Sequence, residues 1–171
     1  GSGFGEGIAT RFAAEGAKVV VNDVDSANGE RVAAAIRLAG GQATFVRADV
    51  ARADDVKALL QATLATYGRL DIQINNAGVS HRNQSMLTVP EDEFDRVYAV
   101  NVKSLYWTAQ HMAPHFRDNG GGVFINIAST GGVRPRPGLV WYNGTKGAVI
   151  VTSRAMAVEL APHRIRVNVI N

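Results

Sequence analysis

Apolar residues recur along this chain in two rhythms. Short runs rich in β-branched residues, at 18–22, 43–46, 70–75, 123–127 and 164–171, have the length of buried strands. Between them lie segments with helical spacing. One covers residues 8–15 and is closed by Gly16. A second starts at Asp25 or Ser26, either of which can cap it, and runs to Leu38 before Gly40-Gly41. A third covers 52–67. A fourth, 91–118, is expected to be interrupted early and strained near Pro114. The last extends from about Gly138 to Ala161, ahead of Pro162. Strands alternating with helices predict a parallel sheet covered on both faces, an α/β fold. No repeat, linker or low-complexity tract divides the chain, so residues 1–171 read as one domain.

The loops that follow the strands carry the candidate chemistry. Tyr142 and Lys146 are four residues apart on the last helix and therefore share a face. A free phenol titrates near pH ~10, and an ammonium beside it favours the phenolate, bringing the group toward general acid/base duty. Ser129 stands just past the 123–127 strand, at the carboxyl end where open α/β sheets place ligands. Taken alone a Tyr-x-x-x-Lys pair is a weak signal, since such pairs are common on helix surfaces. Asn75-Asn76-Ala77-Gly78 follows another strand, Asn101 sits inside a helical pattern, and the glycine-rich start leads directly into a helix.

Composition narrows the alternatives. Apolar residues make up 46% and charged residues 19%, as in ordinary globular proteins. The net charge is +3 with basic residues scattered rather than striped, which argues against nucleic-acid binding. No apolar stretch nears the ~20 residues of a membrane span. Cysteine is absent, which removes disulfides and thiol chemistry and is compatible with a cytoplasmic location.

In their order and spacing these elements resemble the short-chain dehydrogenase/reductase family across essentially all of the chain. The resemblance implies a doubly wound, Rossmann-like fold. It also implies an oxidoreductase that moves a hydride between NAD(H) and a small alcohol or carbonyl substrate without a metal. Tyr142 would be the acid/base, Lys146 would bind the nicotinamide ribose, Ser129 would hold the carbonyl, and Asn101 would fix a water leading to Lys146. Ser2, Gly3, Phe4 and Gly5 would approach the pyrophosphate, although their spacing departs from Gly-x-Gly-x-x-Gly. Asp49 and Val50 would contact adenine, with a helix-capping role for Asp49 nearly as good. Asn76, Ala77 and Gly78 would border the cofactor, while Asn75 would stabilise the strand. Asp23 ends the 18–22 strand, where a carboxylate accepts from the ribose hydroxyls and repels a 2′-phosphate; this favours NAD over NADP.

The same likeness makes a homotetramer or homodimer the expected assembly. It places a threonine and a glycine of the family's loop, and the strand before them, ahead of Gly1, and a last strand after Asn171. On that basis this stretch by itself is expected to fold poorly, because each buried backbone group left unpaired costs roughly 1–3 kcal/mol. Two alternatives stay open: an NADPH-dependent 3-oxoacyl-thioester reductase, and a dinucleotide-binding protein without catalysis. His111 and His115, four apart, have the spacing of a metal clamp but no nearby carboxylate, and read as surface or interface residues. Arg134-Pro135-Arg136-Pro137 follows Ser129, either to attract an anionic substrate or as a stiff solvated loop.

Overall fold

A computed structural model describes residues 3–171 of the chain; Ser2, one of the expected pyrophosphate contacts, lies outside the described residues. The chain divides into two compact units, 1–69 and 70–171, each with its own parallel sheet.

The first unit runs α1 (Gly3–Ala14), β1 (Lys18–Asp23), α2 (Ser26–Leu38), β2 (Gln42–Arg47) and α3 (Ala53–Tyr67). β1 and β2 pair in parallel from Lys18 opposite Gln42 to Asp23 opposite Arg47. Their apolar positions meet the inner faces of α1 and α2 in a core of Ala13, Val21, Val32, Ala33, Ile36 and Ala43. Each large aliphatic side chain buried there contributes about 1.5–3 kcal/mol. α2 lies directly on β2, because a Cβ at Gly29 would collide with the Phe45 ring. Of the two residues expected to cap α2, Asp25 does so: its Oδ1 accepts from Ala27 N (3.0 Å) and Asn28 N (3.1 Å).

α1 corrects one expectation. The helix begins at Gly3, five residues before the predicted start at Ile8. Glycine is tolerated there because first-turn N–H groups have no intrahelical partner in any case. Glu6 in that turn suits the positive end of the helix and forms a two-point pair with Arg31 of α2 (2.9 and 2.8 Å).

The second unit contains β3 (Ile72–Asn75), α4 (Glu91–Tyr98), a π-helical turn (Ala99–Lys103), α5 (Ser104–Asp118), β4 (Gly122–Ile127), α6 (Val140–Leu160) and β5 (Ile165–Ile170). The strands lie in the order β3-β4-β5, all parallel. The early interruption expected in the fourth helical segment is this π turn. α5 runs through Pro114 unbroken. Leu105, Ala128, Val149 and Ile150 form one core cluster, and Phe116 meets Phe124 edge to face at 5.1 Å.

A polar relay crosses this sheet. Gln73 Nε2 donates to Asn75 Oδ1 (3.0 Å), Asn75 Nδ2 to Asn126 Oδ1 (2.8 Å), and Asn126 Nδ2 to Ser153 Oγ on α6 (2.8 Å). Asn126 is fully buried, so these bonds satisfy groups that are costly to strand. They fix the register of β3, β4 and α6. Asn75 thus has the strand-stabilising place expected of it. Among the described residues no helix is long and apolar enough to cross a membrane.

Candidate active site

The second unit brings together the four residues singled out for chemistry. Ser129 follows β4 in extended backbone, and its Oγ accepts from Gly131 N (3.1 Å), which opens a short 3-10 turn, Thr130–Gly132. That bond uses an acceptor lone pair and leaves the hydroxyl proton free to donate. α6 then presents Tyr142 and Lys146 one turn apart. A Cβ at Gly131 would lie 3.5 Å from Ser129 Oγ and 3.6 Å from Tyr142 Cε1, so the two hydroxyl-bearing residues flank Gly131.

Lys146 is buried, and Nζ donates to Ile127 O at the end of β4 (2.9 Å). It lies 5.9 Å from the centre of the Tyr142 ring. Burial pushes the Lys146 ammonium below the ordinary lysine pKa, because desolvation disfavours its charge. An ammonium has three donors, and Ile127 takes one.

Asn101 sits in the π turn, where the widened coil turns its amide toward the loop after β3. Oδ1 accepts from Val79 N (2.8 Å), while Nδ2 donates to Val79 O (2.8 Å) and Thr145 Oγ1 (3.0 Å). Thr145 in turn donates to Tyr142 O (2.7 Å). Asn101 therefore holds the Asn76, Ala77, Gly78 segment against α6. A Cβ at Gly78 would meet Lys146 Nζ at 3.2 Å and Asn101 Oδ1 at 3.4 Å. Glycine at this position lets the loop after β3 approach the lysine closely. The lysine donors that Ile127 leaves unused suit the hydroxyls of a nicotinamide ribose.

The residues expected at the adenosine end belong to the first unit. Gly3, Phe4 and Gly5 form the first turn of α1, and Phe4 is largely exposed. Asp23 ends β1, with Oδ1 accepting from Asp25 N (2.9 Å). Asp49 and Val50 follow β2; Asp49 Oδ1 accepts from Ala51 N (2.9 Å), turning the chain into α3 rather than capping it, since the cap position is Arg52. With β1 and β2 parallel and in register, Asp23 and Asp49 share the carboxyl end of this sheet. The Glu6–Arg31 pair ties the first turns of α1 to the first half of α2, which starts from that same end. A helix N-terminus and a strand-end carboxylate at one edge are the features a dinucleotide's phosphates and ribose require.

Sequence reasoning missed several supports: Asn126, Ser153, Thr145 and the close approach of Gly132 to α6. A Cβ at Gly132 would meet the Lys146 carbonyl carbon at 2.7 Å. The Ser-x-x-Gly spacing before Tyr142 was the one visible trace of that approach. Trp141 packs edge to face on Phe94 (5.3 Å) and donates to Met86 O (3.2 Å). His111 and His115 lie on α5, and among the described residues no group of three or more His, Cys, Asp or Glu gathers to hold a metal.

Known proteins share this fold. A family model described as short chain dehydrogenase matches residues 1–171. The 4-formylbenzenesulfonate dehydrogenase of Comamonas testosteroni is 48% identical over 99% of the chain and 68% of its own length. A crystal structure of a 3-ketoacyl-(acyl-carrier-protein) reductase from Brucella melitensis, complexed with NADH, superposes with a TM-score of 0.95. It is 48% identical over 99% of this chain and 70% of its own. A metagenomic short-chain oxidoreductase in complex with NADP gives 0.93 at 32% identity, over 98% of this chain and 75% of its own. The chain thus spans roughly two thirds to three quarters of these relatives.

Proposed function

Because the chain belongs to the short-chain dehydrogenase family, we propose that the protein interconverts an alcohol and a carbonyl compound at the expense of NAD(H). The observation that carries this reading is the convergence of Ser129, Tyr142 and Lys146 around two glycines, Gly131 and Gly78, with Asn101 holding the second. The nicotinamide, when bound, supplies the two-electron chemistry, accepting the carbinol hydride in oxidation and returning it in reduction. The chain's own residues manage the proton and the oxygen. Tyr142 takes the hydroxyl proton in oxidation and gives it back in reduction. The Lys146 cation, at 5.9 Å from the ring, attracts the phenolate charge that develops. Ser129 donates to the substrate oxygen, where negative charge grows as the proton leaves. Asn101 positions Gly78 and, through Thr145, the Tyr142 segment of α6; its side-chain bonds go to Val79 and Thr145, and any water it fixes would sit beyond these.

Preference for NAD over NADP rests on Asp23 at the end of β1. A carboxylate there repels a 2′-phosphate and accepts from the two ribose hydroxyls. A 3-oxoacyl-thioester reductase is the second reading, favoured by the 48% identity to a reductase so titled. Initial rates with NAD⁺ and NADP⁺ on a panel of alcohols, and with NADH and NADPH on aldehydes and 3-oxoacyl thioesters, test both. No nicotinamide absorbance change with any member of the panel would reject the enzyme reading. An assembly of two or four subunits and a cytoplasmic location complete the proposal, testable by light scattering and cell fractionation.

A further inference from the structure

Beside the Ser129–Tyr142 pair lies a cavity of about 520 Å³ whose walls include Gly131, Gly132, Pro135, Arg136, Pro137 and Asn143. That volume accommodates a ring-sized organic molecule. Gly131 borders both the cavity and the two hydroxyl-bearing residues. Arg136 supplies a charge to the lining, and no carboxylate offsets it. Neither Arg136 nor Arg134 has an ion-pair partner among the described residues, and the same is true of Arg47, Arg82, Arg154, Arg164 and Arg166. Both guanidinium-bearing residues of this loop are exposed, and Arg136 alone of the two lines the cavity.

The loop is also held in place. Arg134 N donates to Thr130 O (2.7 Å), Asn143 Nδ2 to Arg136 O (2.9 Å), and Gln84 N to Gly138 O (3.0 Å). Prolines on both sides of Arg136 fix φ and lower the entropy lost on binding. The loop backbone is thereby fixed, while the exposed Arg136 side chain carries a guanidinium fork suited to a carboxylate or sulfonate.

We propose that Arg136, assisted by Arg134, selects substrates that carry a carboxylate or sulfonate remote from the reacting carbon. This rests on the dehydrogenase reading and names its substrate class. The redox step is unaltered: the carbinol C–H bond breaks with its hydride going to the nicotinamide, the O–H proton goes to Tyr142, and the anion stays bound to the arginine throughout.

The test compares 4-(hydroxymethyl)benzoate with the neutral, nearly isosteric 4-(hydroxymethyl)benzamide, using the full-length protein and NAD⁺. The benzoate is expected to be favoured in kcat/KM by tenfold or more, chiefly through KM. Arg136→Ala should collapse that ratio toward one and Arg136→Lys should retain part of it, since lysine keeps the charge without the fork. Raising salt should shrink the preference as well. Equal kcat/KM for the two alcohols, or an Arg136→Ala change that lowers both alike, overturns the inference and leaves the dehydrogenase reading standing. If neither alcohol is oxidised, calorimetric titration of 1,4-benzenedicarboxylate into the wild-type protein and Arg136→Ala still decides. Binding weakened tenfold by the substitution supports the site, and absent or unaltered binding refutes it.

Discussion

Asn101 bonds both backbone groups of one residue, accepting from Val79 N and donating to Val79 O at 2.8 Å each. The side-chain amide thus behaves as a strand neighbour would, with a third bond to Thr145. Asn101→Ala leaves these groups without partners in a buried setting, at a cost of about 1–3 kcal/mol for each one stranded. Thermal unfolding should show a fall in Tm of about 2–4 °C per kcal/mol lost. Turnover should fall further than stability accounts for at 25 °C, because Gly78 and Tyr142 are both held through this residue. A variant with the parental Tm and full activity would show that the clamp is dispensable.

Tyr142→Phe removes one hydroxyl and leaves the ring where it packs. A drop in kcat of about 10²–10⁴-fold is expected, the usual range for loss of a positioned acid/base. NADH affinity, followed by fluorescence titration, should stay close to that of the parent. Retention of most of the rate would remove the tyrosine from the chemistry.

Burial depresses the Lys146 pKa, and the sign of its pH effect follows. Between the depressed folded value and the ordinary ~10.4, the unfolded chain binds more protons than the folded one, so stability rises with pH across that window. This contribution is complete above the ordinary value and is lost as pH falls through the folded one. Lys146→Met should flatten that rise in urea-midpoint measurements and hold or increase stability at neutral pH, while activity collapses. The parental rate should decline at alkaline pH below ~10.4 as the cation beside Tyr142 is lost. A Lys146→Met protein that is active, or markedly less stable at neutral pH, would contradict this account.

Gly132→Ala tests the seat of Ser129. The added methyl would meet the carbonyl carbon, carbonyl oxygen and following nitrogen of the Lys146–Gly147 peptide at 2.7, 2.8 and 2.9 Å. Backbone atoms cannot swing aside as a side chain can, so the 3-10 turn must lift from α6, at about 1–3 kcal/mol. The rate should fall at least tenfold as Ser129 moves relative to Tyr142, with a lower Tm.

Asp23→Ala addresses cofactor choice. The NAD/NADP ratio of kcat/KM should shrink by tenfold or more, mainly through KM for NADP. A ratio unchanged from the parent would exclude Asp23 from selection.

Much of this architecture was legible in the pattern of residues, and the exceptions share a cause. β-branched runs and their turn residues located all five described strands to within two residues, since buried parallel strands need continuous apolar sequence. Asp25 as a cap and the break in the 91–118 helix were visible because they depend on nearest neighbours. The start of α1 at Gly3 was not, because glycine's low helix propensity is overridden where the first turn needs no internal bonds. Asn126 and Ser153 escaped notice because their value lies in each other, 27 positions apart. Tyr142, Lys146 and Ser129 stood out by spacing, whereas the role of Asn101 toward Val79 joins residues 22 positions apart and left no local signal.

That wide turn sets a limit on how the chain can vary. A π turn closes i→i+5 bonds where an α turn closes i→i+4, so removing one residue from Ala99–Lys103 would let the coil tighten to α with the register of α5 kept. Leu105, Thr108, Met112 and Phe116 would still face inward, but Asn101 would lose the widened coil from which its amide reaches Val79. Insertions and deletions are harmless in many surface bends; here a single missing amino acid would spare the helix and still disable the amide clamp.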